Sequence, residues 1–394
     1  MRVVLGSAFP LDETLITGGV EAVAYYLASV LARRSDMDLH VVSCSERIAR
    51  DFVERRGNMT IHWIKIGQRF HNFRIFTDYA RRVARAYQSI HPDIIHAHGF
   101  NEYAVKIMPG QRLILSIHGL ETLVPNTNDM HRFRGAPGFY RKATGKLIAE
   151  QCIQNAAGII SNAGNYTLAH FPGLSSRKKI FAIANPIASD FFTLKRDSKF
   201  VSTHCHLLWA GIIAERKNLL GVIYPFSQIV REHPDVHLTL AGQVWDQWYY
   251  EKIRQAITEL GMDGNVTITG PISQSAMMDL YASADIFILP SIEETAPMAV
   301  AQAMAVGLPV IASRVGGIPW MLDDGRSGLL EDPHDHGGWF NSMKRLVNSD
   351  EVRREFGALA KRRAGMLFDP GVVEGQIVSA YEHLLSDGQA RVSL

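Results

Sequence analysis

Apolar and polar positions along this 394-residue chain follow two rhythms. Short unbroken apolar runs, of a length that suits strands buried on both faces, are separated by longer segments with apolar residues at helical spacing. In the first half the runs are Val3–Leu5, Leu39–Ser43, Thr60–Ile66, Asp93–His96, Leu113–Ile117, Gly158–Ser161 and Lys179–Ala184. In the second they are His206–Ala210, Val236–Ala241, Val266–Thr269, Asp285–Leu289 and Pro309–Ser313. Between them, helical faces are clearest at Val20, Val23, Leu27, Val30 and Leu31, and again at Leu219, Ile223, Phe226 and Val230. Such alternation predicts right-handed βαβ units on parallel sheets, and thus an α/β protein.

Two such series, each of about 185 residues, predict two doubly wound domains. The boundary is expected at Asn185-Pro186-Ile187, where a strand ends in a residue restricted by the proline after it. That division puts residues 1–185 in one domain and 186–370 in the other. A last helix over Pro370–Leu385 carries Val372, Val373, Gln376, Ile377, Ala380, Tyr381 and Leu384 on one face. Periodicity leaves open which domain that helix packs on.

The most informative stretch is Asp285–Gly317, DIFILPSIEETAPMAVAQAMAVGLPVIASRVGG. It predicts a buried strand, an acidic turn over Pro290–Thr295, a helix from about Pro297, a stop at Gly307 and Pro309, and another strand. A crevice at the carboxyl ends of parallel strands is where α/β sheets bind ligands. Free N–H groups at the helix start favour an anion or a hydroxyl-rich ligand.

Composition narrows the class. With 47% apolar and 20% charged residues the chain is that of a soluble globular protein. No apolar run approaches the ~18 residues of a membrane span, and the N-terminal MRVVLGSAF enters a strand without the pattern of a signal peptide. The odd number of cysteines, Cys44, Cys152 and Cys205, set far apart in apolar segments, points to reduced thiols in a cytoplasmic protein. Charge is uneven: residues 1–185 carry a net +9 and the remainder −7. A basic half fits an acidic partner or an anionic membrane surface. Two segments concentrate it, Arg69–Arg85 and His131–Lys146, both rich in aromatics; each taken alone reads more readily as a solvated helix face, and the asymmetry equally as ordinary surface variation. Neither matches a nucleic-acid-reading motif, so no nucleic acid partner is expected.

Several residues could carry chemistry. Gly18-Gly19 lies between the first strand and its helix, where it is either a flexible turn needing no ligand or a place where the backbone comes close to one. His96, His98 and His118 end two neighbouring strands; each could be a hydrogen-bonded structural histidine, and His118, beside a glycine turn, is the one suited to face a ligand. His96-x-His98 lacks the acidic or thiol partner that would complete a metal site. The segment Gly211–Asn218 ends the first strand of the second domain. Its adjacent cations Arg216 and Lys217 oppose the helix dipole unless an anion is present. Glu294, just before the later helix, could bond ligand hydroxyls or merely cap that helix, and Gln302, on it, could bond a ribose diol or merely face a neighbouring loop.

With these residues in view the chain resembles the retaining, nucleotide-sugar-dependent glycosyltransferases of family GT4, which have the GT-B fold: two Rossmann-like domains with a cleft between them. The resemblance is strongest over Asp285–Asp332, in the acidic turn, AMAVGLPVIAS, Gly316-Gly317 and the later GLL. PDIIHAHGF, SIHG and the Gly18-Gly19 loop agree in order.

The resemblance implies that Lys217 and Arg216 hold the donor diphosphate as it departs. Gly211 would open that loop, Glu294 would contact donor sugar hydroxyls, and the backbone of Ala296, Pro297 and Met298 would lie against sugar and phosphate. Gln302 would hold the ribose, Gly270, Pro271 and Ile272 would lie along the base, and His118 would approach the donor sugar. Gly18 and Gly19 would face phosphate and acceptor, and the last helix, about 371–394, would cross back to the first domain. No metal and no cofactor is implied, and nothing resembles the pyridoxal phosphate lysine segment of phosphorylases.

Two positions depart from the family pattern. Ile212 stands where many members have arginine, and Gln302 where they have the second glutamate of an E-x7-E motif, which weakens the expected ribose contact. The implied activity is transfer of a hexose from a UDP- or GDP-sugar to a saccharide or lipid-linked acceptor. The rivals are a sugar-nucleotide epimerase of the same fold and a non-catalytic nucleotide-sugar-binding protein.

Overall fold

The computed structural model describes residues 1–13, 16, 18–67, 78–98, 112–118, 150, 152–169, 178–196 and 205–390. The basic segment His131–Lys146, residues 69–77 of the segment Arg69–Arg85 and the Gly119 beside His118 lie outside the described residues. The chain divides into two compact units, Met1–Pro186 with Pro370–Leu394, and Ile187–Asp369.

The first unit is built on strands β1 Arg2–Gly6, β2 Asp38–Ser45, β3 Phe52–Arg56, β4 Met59–Lys65, β5 Ile94–His98, β6 Leu113–Ile117, β7 Gly158–Ser161 and β8 Lys179–Ala182. Among the described residues they form one sheet, ordered β3-β4-β2-β1-β5-β6-β7-β8. All neighbours are parallel except β3 and β4. The apolar runs explain this arrangement: β1, β5, β6 and β7 are buried on both faces, as a doubly wound sheet requires.

One face packs the helix Gly19–Leu31, through Ala24, Leu27, Ala28 and Leu31, against Val3, Leu39, Val41 and Ile61. The other packs Ala80–Ile90, through Val83, Ala84, Tyr87 and Ile90, against Val4, Val42, Ile95 and Leu115. The C-terminal helix Pro370–Ala390 joins the first of these cores, burying Val373, Ile377, Tyr381 and Leu384 beside Val3 and Leu27. Each such side chain contributes about 1.5–3 kcal/mol on burial. Arg34 also pairs with Glu374 at 2.9 Å. This settles what periodicity left open about the last helix.

Strand β3 is absent from the sequence reading. Its FVERR is too polar to register as a buried run, and it is an edge strand joined to β4 through Gly57 at φ +59°.

The second unit carries β9 His206–Ala210, β10 His237–Ala241, β11 Val266–Gly270, β12 Ile286–Leu289, β13 Val310–Ser313 and β14 Leu329–Glu331. They form a sheet ordered β11-β10-β9-β12-β13-β14, parallel throughout. The three-residue β14 was too short to show as a run. From β9 the chain winds outward to β11, then returns to β12 on the other side of β9. The switch point therefore lies between β9 and β12, and the loops after these two strands must meet there.

Candidate functional site

Those two loops bring Lys217 and Glu294 together across 77 residues of sequence. The loop after β9 makes a single 3-10 turn, Glu215–Lys217, closed by Asn218 in the left-handed conformation at φ 51°. Asparagine tolerates that conformation where most residues do not. From there Asn218 Nδ2 donates to Pro290 O at 3.1 Å and to Pro333 O at 2.9 Å. Ile292 N donates to Arg216 O at 2.9 Å, so the two loops are bound main chain to main chain as well.

Within this clamp Lys217 Nζ donates to Glu294 Oε1, with both residues 8% exposed. Ser291 Oγ donates to the same oxygen at 2.8 Å. Such burial is costly for either charge alone, so the pair holds its geometry. Arg216, beside it, is half-buried and makes no ion pair among the described residues.

The backbone of Glu294 is fixed from the far side too. Gly316, at φ +59°, comes so close that a Cβ there would stand 1.5 Å from Glu294 O. Gly317 N donates to Thr295 O at 3.0 Å. A second close approach supports the β9 loop: a Cβ on Gly242 would stand 1.7 Å from the carbonyl oxygen of Gly211. Gly270, at φ +67°, ends β11 and accepts from Gly242 N at 3.1 Å; Pro271 is exposed and Ile272 half-buried beyond it.

Pro297 caps the helix Met298–Val306 without a side-chain bond, leaving first-turn N–H groups past Ala296 for a ligand. On that helix Gln302 does not stand free. Its Oε1 lies 3.2 Å from the hydroxyl of buried Tyr281, which also reaches Ala299 O at 3.1 Å. One hydroxyl proton serves one acceptor at a time.

His118, Gly18 and Gly19 belong to the first unit. Gly18 caps its helix in an extended conformation, φ −138°, with no side-chain bond. That conformation suits any residue, and no described atom lies within 4 Å of an added Cβ at Gly18 or Gly19, so the described structure itself does not demand glycine there.

His118, half-buried itself, enters a polar chain with the buried His98 and Asn162. Asn162 Nδ2 donates to His118 Nδ1 at 3.1 Å, and His118 Nε2 meets His98 Nδ1 at 2.6 Å. With Nδ1 accepting, the His118 proton sits on Nε2 and is donated to His98, whose own proton then sits on Nε2. Asn162 Nδ2 also reaches Asn185 Oδ1 at 3.3 Å. His96 is held separately, with Nδ1 2.7 Å from Tyr381 OH and Nε2 2.7 Å from Ser116 Oγ.

Burial lowers all three histidines, His96 to about 3 and His118 to about 4, and His98 well below the ordinary value with its two histidine neighbours adding to the effect. They are neutral dipoles at physiological pH. Both ring nitrogens of His118 have partners within the unit, as the alternative of a hydrogen-bonded structural histidine requires. Among the described residues no group of three or more His, Cys, Asp and Glu side chains is placed to hold a metal ion.

Sequence reasoning missed Ser291, Asn162, Asn185 and Tyr281. Asn162, directly after β7, and Asn185, directly after the run Lys179–Ala184, carried a signal, as polar residues at a strand's carboxyl end.

The chain is similar to known proteins. Residues 17–191 match the model of Glycosyltransferase Family 4, and residues 190–363 that of Glycosyl transferases group 1. The chain belongs to glycosyltransferase family 4.

Its similarity to a D-inositol 3-phosphate glycosyltransferase of Pseudarthrobacter chlorophenolicus is 25% identity over 288 residues, covering 69% of this chain and 66% of that relative. Sucrose-phosphate synthase of Thermosynechococcus elongatus superposes with a TM-score of 0.77 at 17% identity, covering 98% of this chain and 99% of that one. HepE of Anabaena, solved in complex with UDP and glucose, gives 0.68 at 17% identity, covering 97% and 99%. These structural likenesses show the GT-B fold of this family 4 chain. Among the described residues no helix is long and apolar enough to cross a membrane.

Proposed function

We propose that the protein transfers a hexose from a nucleoside diphosphate sugar to an acceptor hydroxyl with retention of configuration. The donor base is UDP first and GDP second. The observation that carries this reading is the meeting of Lys217 and Glu294 at the switch point, with Arg216 beside them. Lys217 and Arg216 would offset charge growing on the diphosphate as the bond from the anomeric carbon to its oxygen breaks. Glu294 would accept from sugar hydroxyls, and the backbone from Ala296 to Met298 would lie along sugar and phosphate. Gln302 would take one ribose hydroxyl.

No Asp or Glu, Glu294 included, is assigned as a nucleophile at the reacting carbon. The acceptor oxygen is therefore expected to attack on the face the diphosphate leaves, giving its proton to the departing phosphate oxygen. No metal takes part in this scheme, because Lys217, Arg216 and the helix start carry the charge.

The acceptor is a saccharide or lipid-linked hydroxyl in cell-surface polysaccharide or glycolipid synthesis, at the cytoplasmic membrane face. The net +9 of residues 1–185 supports an acceptor that carries phosphate. The named activity of the Pseudarthrobacter relative supports a cyclitol phosphate as the second reading of the acceptor.

Thermal unfolding with UDP, GDP, ADP and their sugars, with and without divalent metal, tests the donor assignment. A ligand at a hundred times its dissociation constant stabilises by about 2.7 kcal/mol. A metal-independent shift with one base supports the reading, and no shift with any of them rejects it. Donor turnover without acceptor would favour an epimerase, and binding without turnover a binding protein.

A further inference from the structure

Lys217 and Glu294 are bonded to each other, and a diphosphate can take Lys217 only by separating or sharing the pair. Their loops cannot drift apart to ease this. Asn218 ties the Lys217 loop to Pro290 and Pro333, and Gly316 and Gly317 pin the backbone at Glu294 and Thr295. Only the side-chain torsions of the two residues remain to adjust.

We propose that Glu294 is a specificity-determining counter-ion, which makes the site favour an anion that arrives together with neighbouring hydroxyl groups. The inference rests on the donor reading above and deepens it. Pyrophosphate alone offers Glu294 nothing: it draws Lys217 away and sets its own negative charge against a carboxylate left with only the Ser291 hydroxyl. A sugar diphosphate replaces the lost cation with hydroxyl donors to Glu294 while its phosphates take Lys217 and Arg216. The pair thus discriminates the donor from its sugar-free product, which leaves readily after transfer.

Titration calorimetry of the wild type, Glu294→Gln and Glu294→Asp with inorganic pyrophosphate, UDP and UDP-glucose tests this, with GDP and GDP-mannose as the second set. Glu294→Gln keeps an oxygen for Ser291 and removes the charge. It should tighten pyrophosphate and the nucleoside diphosphate by about tenfold, or about 1.4 kcal/mol, and weaken the sugar nucleotide, reversing the preference. Glu294→Asp keeps the charge, so pyrophosphate should bind as weakly as to the wild type.

An unchanged ratio of product to donor affinity in Glu294→Gln overturns the inference, as does equal pyrophosphate binding by the two variants. A wild type that binds neither nucleotide set overturns the donor reading itself. Melting temperatures of all three proteins separate these outcomes from misfolding.

Discussion

The α-carbon of Gly316 lies against the carbonyl of Glu294, with no room for a methyl group: an added Cβ would stand 1.5 Å from that oxygen. Gly316 also sits at φ +59°, where a residue with a Cβ is strained by about 1–3 kcal/mol. Gly316→Ala must therefore move the Glu294 backbone or destabilise the second unit. Urea unfolding should show a loss of at least that size, and the nucleotide-induced rise in melting temperature should vanish. A variant with wild-type stability and nucleotide response would show that this approach does not hold the site.

Lys217 is the cation whose removal leaves a buried carboxylate with only the Ser291 hydroxyl. Lys217→Met should lower stability by about 3 kcal/mol or more, and Lys217→Met with Glu294→Gln should recover most of it. Neither variant should transfer sugar at a measurable rate. Denaturant curves of the two single variants and the double variant give the coupling directly. Additive losses would mean that the pair does not act as a unit.

Stability should depend on pH through the buried histidines of the first unit. His96 is held at about 3, against an ordinary value near 6.5, by burial between Tyr381 and Ser116. The unfolded chain gains a proton there that the folded chain refuses, so stability falls as pH drops below about 6.5. The loss at pH 5 relative to pH 8 is about 2 kcal/mol for this residue alone. His96→Gln should flatten the pH slope of unfolding free energy between pH 7 and 5, whatever its effect at pH 8. A slope unchanged by the substitution would mean that His96 titrates normally in the fold.

Gln302 offers a neutral acceptor where most of the family carries a charge. Gln302→Glu should tighten nucleotide binding, since charge-assisted bonds to a hydroxyl are about twice as strong as neutral ones. Gln302→Ala should weaken it while leaving the fold intact, because Tyr281 OH keeps Ala299 O as its acceptor. Calorimetry with the nucleoside diphosphate decides, and an affinity indifferent to both changes would remove the ribose role.

The sequence by itself determined the α/β class, most strands, the break near Pro186 and the family, because burial on both faces writes continuous apolar runs and because the Asp285–Asp332 motifs are specific in combination. It also pointed to Lys217 and Glu294 one at a time, as cations against a helix dipole and as an acid in a turn. Polar or very short strands escaped it: Phe52–Arg56 carries three consecutive charged residues at a sheet edge, and Leu329–Glu331 is too brief to leave a pattern.

Only the tertiary structure decided that Lys217 bonds Glu294, that Asn162 and His98 occupy both nitrogens of His118, and that Tyr281 reaches Gln302. It also decided that the last helix joins the first core, where Tyr381 meets His96 across 285 residues. The physical reason is common to these cases. Periodicity records which face of an element is buried, whereas a hydrogen-bond partner is chosen by strand order and loop path, which no local spacing encodes.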